Sequence, residues 1–160
     1  MAYADYGFYT SVYFGDELPP EKALKWLTRA SDWLATVTRK RLKTAYPVEH
    51  DETVKKAVCA LAEALHGIEE QRKAGEAHRA DDGTYRGAVS SITAGKQSIS
   101  YAGSSAGGST YAAAAASEAA RSALLADITC HYLADVPDAN GTNLLYAGEE
   151  RNACGNDYPV

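Results

Sequence analysis

The segment Gly103-Ser104-Ser105-Ala106-Gly107 matches G-x-S-x-G letter for letter. In enzymes that use this motif, a sharp strand-to-helix turn presents the serine Oγ, and an acid and a histidine follow in chain order to activate it. Asp127 and His131 do follow. They stand four residues apart, which on a helix puts both on one face, whereas a triad draws its acid and base from separate loops. That hydrolase class also needs a multi-stranded parallel sheet, and the continuous Val/Ile/Leu runs of such a sheet are missing. The match is therefore read as a Gly/Ser linker, and no catalytic residue is assigned.

The other chemistry-bearing residues are scattered. His50, His66, His78 and His131 pair with no second His, Cys or carboxylate at a metal-ligand spacing. Cys59, Cys130 and Cys154 are odd in number, far apart and without a C-x-x-C pair, so free thiols in a reducing compartment are expected. No phosphate-binding loop, dinucleotide fingerprint or calcium loop is present. The expectation is a protein with no enzymatic activity, no metal and no cofactor.

Composition explains what kind of scaffold carries these residues. Ala contributes 30 residues and Tyr 11, whereas Leu, Val, Ile and Phe together number 26 of 160. That is below the roughly 20% at which independent folding becomes doubtful. The net charge of only -5 does not suit disorder. A thin core of slender helices, with amphipathic Tyr surface left over, fits both facts. The charge is unevenly divided: residues 1–80 carry 12 basic and 12 acidic groups, and residues 81–160 carry 4 and 9. Such a balance argues against a protein that grips duplex DNA. No apolar run approaches the roughly 20 residues of a membrane span, and the first residues lack the basic and apolar regions of a signal peptide.

The pattern predicts a single domain over residues 1–160, mainly α: a small bundle of about three main helices with a β-hairpin insertion, an extended N-terminal arm and a C-terminal tail. Residues 1–18 form an irregular aromatic arm, because six of the 15 aromatics lie in residues 1–14 and Gly7 and Gly15 interrupt regular structure. Residues 19–75 form a helical hairpin. Pro19-Pro20 opens its first helix, whose apolar arc holds Trp26, Leu27, Ala30, Trp33, Leu34 and Val37. The run Arg39-Lys40-Arg41-Leu42-Lys43 reads as a solvated helix end at the negative pole of the dipole. Asp51 is a candidate N-cap for the second helix, with Val54, Ala57, Val58, Leu61, Ala64, Leu65 and Ile68 as its stripe; Cys59 lies off it. Residues 84–103 form the β-hairpin, turning at Ala94-Gly95-Lys96, with Ile99 and Tyr101 alternating against serines. Residues 109–135 form one Ala-rich helix, and residues 136–160 an extended tail with Leu144-Leu145-Tyr146 as its apolar anchor.

Taken in order, these elements resemble the head–tail connector (adaptor) proteins of long-tailed bacteriophages and prophages. The likeness is carried by Tyr3-Ala4-Asp5-Tyr6-Gly7-Phe8-Tyr9, Leu27-Thr28-Arg29-Ala30-Ser31-Asp32-Trp33-Leu34, Val54-Lys55-Lys56-Ala57-Val58-Cys59-Ala60-Leu61-Ala62-Glu63 and Thr142-Asn143-Leu144-Leu145-Tyr146-Ala147-Gly148. Ser98-Ile99-Ser100-Tyr101 is similar to the family's hairpin strand. The resemblance implies a structural virion protein of the neck, assembled in the bacterial cytoplasm. It would form a homo-oligomeric ring matching the portal and join it to the stopper or tail protein. Double-stranded DNA would pass through the channel without sequence-specific binding. It further implies portal docking by Leu144, Leu145 and Tyr146, and a channel or downstream contact by Ala94, Gly95 and Lys96. Tyr3, Tyr6, Phe8, Tyr9, Trp26 and Trp33 are expected at the subunit interface, because large amphipathic rings favour interfaces; for the arm the equal alternative is that it packs back over its own helices. A different class of function is a small helical regulatory module that binds one partner through its Tyr-rich arm.

Overall fold

The structure is a computed structural model, described for residues 2–43, 48–75, 78–79, 85–86, 91–94, 97–100, 109–138 and 140–146. It is mainly helical: α1 (Tyr6–Ser11), α2 (Pro20–Val37), α3 (Asp51–Gly75), α4 (Thr110–Ala116) and α5 (Glu118–Leu133). The chain divides into two compact units, one made of residues 1–66 and 122–160, the other of residues 67–121.

In the first unit the arm is not irregular throughout. Asp5 takes an extended backbone and its Oδ1 accepts from Phe8 N at 2.7 Å, an N-cap that starts α1 despite Gly7. α2 begins at Pro20 after an extended Pro19, with Glu21 in its first turn. Its buried face is Ala23, Trp26, Leu27, Ala30, Ser31, Leu34 and Ala35, displaced from the expected arc so that Trp33 and Val37 are only half-buried.

The basic run is not a helix end. α2 stops at Val37, and its last turn holds no basic residue. Thr38 closes it twice, through N and Oγ1 on Leu34 O, and Lys40 N then reaches back to Ala35 O at 2.6 Å. Arg39 and Lys40 therefore occupy the left-handed region, φ 51 and 63, and Arg41–Lys43 form a 3-10 turn that buries Leu42. Removing the donors from a continuing helix frees Arg41 to serve another element, described below.

α3 carries the predicted stripe, but Cys59 and Ala62 are buried as well. The burial extends beyond one stripe because the N-terminal arm reaches α3: Lys55 Nζ lies over the Phe8 ring, and two arm tyrosines contact Glu63. Asp51 lies inside the helix and pairs with Lys55 at 2.5 Å, as Glu52 pairs with Lys56 at 2.6 Å. The large buried side chains of this unit include Tyr9, Leu18, Leu27, Leu34, Val54, Val58, Leu61, Leu125, Leu133 and Leu144.

The tail also departs from expectation. Residues 136–138 and 140–146 fold back on each other: Pro137 bridges Asn143, Asp138 Oδ1 accepts from Asn140 N and Thr142 N, and Gly141 takes φ 80. Asn143 Nδ2 donates to Ala134 O at the end of α5.

In the second unit, the single Ala-rich helix is interrupted. Ser117 adopts an extended backbone (φ -139, ψ 127) that ends α4, and its Oγ accepts from Ala120 N at 3.4 Å to start α5. A serine offers the backbone this alternative bond, which an uninterrupted Ala run does not. Gly67 leaves room for the Tyr111 ring; a Cβ there would stand 2.9 Å from it. Two pairs of short antiparallel strands complete the unit. β1 (His78–Arg79) pairs with β2 (Tyr85–Arg86), and β3 (Ser91–Ala94) with β4 (Gln97–Ser100), Ile92 opposite Ile99. Ala94 closes β3; Gly95, Lys96 and Tyr101 lie outside the described residues, as does Ser105.

Candidate functional site

Glu63 organises the inner side of the arm. Its two carboxylate oxygens accept from Tyr9 Oη at 2.7 Å and Tyr13 Oη at 3.1 Å. Tyr9 Oη in turn accepts from Glu17 N at 3.0 Å and Leu18 N at 3.1 Å. One side chain thus ties α1, the following turn and α3 together. Burial pushes both phenols well above their ordinary range, reinforced by Glu63. Burial also raises the Glu63 carboxyl, against the two hydroxyl donors that favour its charged form. Cys59 is a buried free thiol pushed up to about 12, chiefly by burial and then by the Glu63 charge. A thiol so held is not a nucleophile.

This anchored turn has an outer side. Gly15 N donates to Tyr9 O at 2.9 Å, and a Cβ at Gly15 would overlap the Tyr9 ring. Between Tyr13, bonded inward, and Gly15, packed on Tyr9, Phe14 sits in the left-handed region at φ 59 with 81% of its surface exposed. A bulky residue in that backbone region is uncommon and costs energy. Composition placed aromatic surface in the arm; only the turn decides which ring faces outward.

The expected interface residues separate accordingly. Tyr9 is fully buried and Trp26 is 2% exposed, so both belong to the core of this unit. Tyr3 is half-buried, with its backbone N on Ser31 Oγ at 3.0 Å. Trp33 is half-buried, and its indole N–H donates to Thr129 Oγ1 on α5 at 3.2 Å. Phe8 is half-buried; Tyr6 is exposed on α1 and stacks on Tyr9. Phe14, Leu24 and Val48, which sequence reasoning did not assign, are far more exposed than most of those it did.

The three residues assigned to docking are divided in the same way. Leu144 and Leu145 are buried in the chain's own fold, and Tyr146 is exposed. The reason is Arg41, whose guanidinium donates to the carbonyls of Asn143 (3.0 Å), Leu144 (2.6 Å) and Tyr146 (2.5 Å) and stands 3.8 Å from Asp138. Its fork of donors suits several fixed acceptors at once. The anchor is therefore inside the unit, and Tyr146 alone of the three faces out.

An open cavity of about 420 Å³ is lined by Ala60, Asp127, Ile128, Cys130, His131 and Tyr132. Asp127 and His131 are both exposed on α5. Cys130 is disulfide-bonded, which departs from the free-thiol expectation. Among the described residues, no group of three or more His, Cys, Asp or Glu could hold a metal ion, and no helix is long and apolar enough to cross a membrane.

Comparison with protein-family models, curated proteins and solved structures finds no match to this chain.

Proposed function

We propose that this protein is a structural subunit, a head–tail connector that forms a ring between the portal and the stopper or tail of a long-tailed phage or prophage. In this reading it has no catalytic role and binds no cofactor. It works in the virion neck and is assembled in the bacterial cytoplasm. Its partners are the portal, the stopper or tail protein and further copies of itself, and DNA passes without sequence readout. The β3–β4 strand pair would supply the family's hairpin, at the channel or the next component.

The observation that carries the reading is Phe14: an exposed aromatic, raised on a backbone the fold strains, at the outer side of a turn anchored by Tyr9 and Glu63. Large exposed rings on rigid supports are the residues that dominate protein–protein contacts. The alternative of a Tyr-rich arm that captures one partner is less well supported, because Tyr9 and Tyr13 spend their hydroxyls on Glu63. The test is co-expression with the portal protein encoded in the same genome, followed by electron microscopy of purified portals. Annular density on the portal is expected with the native chain, and its loss with Phe14→Ser. An intact portal that never acquires this protein refutes the proposal.

A further inference from the structure

The chain has four asparagines, and only Asn140 is followed by glycine. The fold treats Asn140 and Asn143 in opposite ways. Asn143 is held at both ends of its side chain: Nδ2 donates to Ala134 O, and Oδ1 accepts from Leu145 N at 2.7 Å. Asn140 is exposed, and its side-chain amide makes no hydrogen bond among the described residues. Gly141 beside it takes φ 80, and the space a Cβ would occupy there is open. That backbone region favours glycine. The turn thus calls for glycine at the one position where a side chain would shield the backbone nitrogen from the Asn140 amide. Asparagine is thermolabile because that nitrogen can close a five-membered ring on its side chain.

We propose that Asn140 is a site of spontaneous deamidation, and that the product loosens the C-terminal hairpin. Gly141 N gives its proton to hydroxide and bonds to Asn140 Cγ. The Cγ–Nδ2 bond then breaks, and Nδ2 takes a proton from water and leaves as ammonia. Water opens the cyclic imide at either of its carbonyls, giving aspartate or isoaspartate at position 140. In net, one water is consumed and one ammonia released, and nothing is oxidised or reduced. The bond that must open first is the one from Gly141 N to Asp138 O, 3.0 Å long and at an exposed position. Opening it is a local event, since such turn bonds part without unfolding the unit.

The consequence is geometric. Isoaspartate routes the main chain through its Cβ and Cγ, which adds an atom between the nitrogens of residues 140 and 141. Asp138 Oδ1 now accepts from Asn140 N at 2.8 Å and Thr142 N at 3.0 Å, and the longer chain cannot present both donors to it. The bonds across the hairpin, Asp138 N to Thr142 O at 2.6 Å and Leu144 N to Val136 O at 2.9 Å, then lose their register. Those bonds help seat Leu144 and Leu145, both buried. The modification goes beyond the ring reading and stands without it.

The test is ageing of the full chain in warm, mildly alkaline buffer, followed by peptide mass spectrometry with fragmentation. Position 140 should show the mass rise that exchanging NH2 for OH produces, while Asn143 keeps its amide. The rate should follow hydroxide concentration, and protein isoaspartate methyltransferase should label the aged chain at 140. Amide exchange at Leu144 should be faster in aged than in fresh protein. Asn140→Gln, which would have to close a larger ring, should age without either change; its unaltered thermal midpoint shows that it folds. The site is wrong if Asn140 keeps its amide, if Asn143 converts as fast, or if conversion needs urea. Exchange at Leu144 that is the same before and after full conversion, or that quickens equally in aged Asn140→Gln, overturns the link to the hairpin.

Discussion

Replacing Tyr9 by Phe removes one oxygen atom and no volume, so it isolates the hydroxyl network from packing. Tyr9 is fully buried, and that oxygen makes three hydrogen bonds: one donated to Glu63 and two accepted from Glu17 N and Leu18 N. A hydrogen bond to a charged group contributes about 1.5–3 kcal/mol. Leu18 is 2% exposed, so its stranded N–H adds about 1–3 kcal/mol, whereas Glu17 is exposed and water replaces its partner. The expected cost is about 3–5 kcal/mol, a third or more of a typical folding free energy. At about 2–4 °C per kcal/mol for a chain of this size, the thermal midpoint should fall by roughly 10 °C. Urea unfolding followed by circular dichroism reads the change directly. Tyr13→Phe is the comparator: it loses one bond of 3.1 Å to the same carboxylate and strands no backbone donor, so it should cost about 1.5 kcal/mol, the low end of that range. A double-mutant cycle of Tyr9→Phe with Glu63→Gln should show coupling, because the two share a bond. A Tyr9→Phe cost below about 1 kcal/mol would refute the reasoning, since it would mean that water substitutes for all three partners.

Further outcomes follow from the same unit. The Glu63 carboxyl is raised above its ordinary 4.5, so its contribution is fully present below that value and is lost as pH rises through the folded value. Glu63→Gln should remove that decline, and stability curves for variant and native protein that run parallel from acid to neutral pH would contradict the assignment. Gly15→Ala forces a Cβ into the buried Tyr9 ring and should cost about 1–3 kcal/mol, read as a lowered denaturant midpoint; an unchanged midpoint would mean that the turn relaxes. Arg41→Ala leaves the carbonyls of 143, 144 and 146 without their shared donor and should cost about 2–3 kcal/mol, with faster amide exchange at Leu144; unaltered exchange there would show that another contact holds the tail.

Much of the helical scaffold is legible in the sequence because its signals are local. Pro19-Pro20 opens α2 where the missing N–H costs nothing, and the α3 stripe follows from spacing alone. The mainly α class follows from Ala-rich propensity and the absence of buried-strand runs. The breaks in α4–α5 and in the arm had visible signals too. Ser117 and Asp5 are good caps, and each outweighed the residues around it that pointed the other way.

What only the tertiary structure decided is which polar and aromatic groups are spent inside. Tyr9 and Phe14 are both arm aromatics by composition. One is buried because a carboxylate fifty-four residues away accepts its hydroxyl, and the other is expelled by the turn that bond creates. Leu144 and Leu145 read as a free anchor until Arg41, on a turn 103 residues before Leu144, takes up the carbonyls around them. Lys25 and Arg29 are ordinary helix-surface cations in one dimension, and stand over an aromatic face only once Trp26 lies beneath them. Propensity and periodicity act over a few residues. Hydrogen bonds, desolvation and ring contacts act across whatever the fold brings within a few ångströms, so the outer surface of this protein is set by pairings its sequence order does not display.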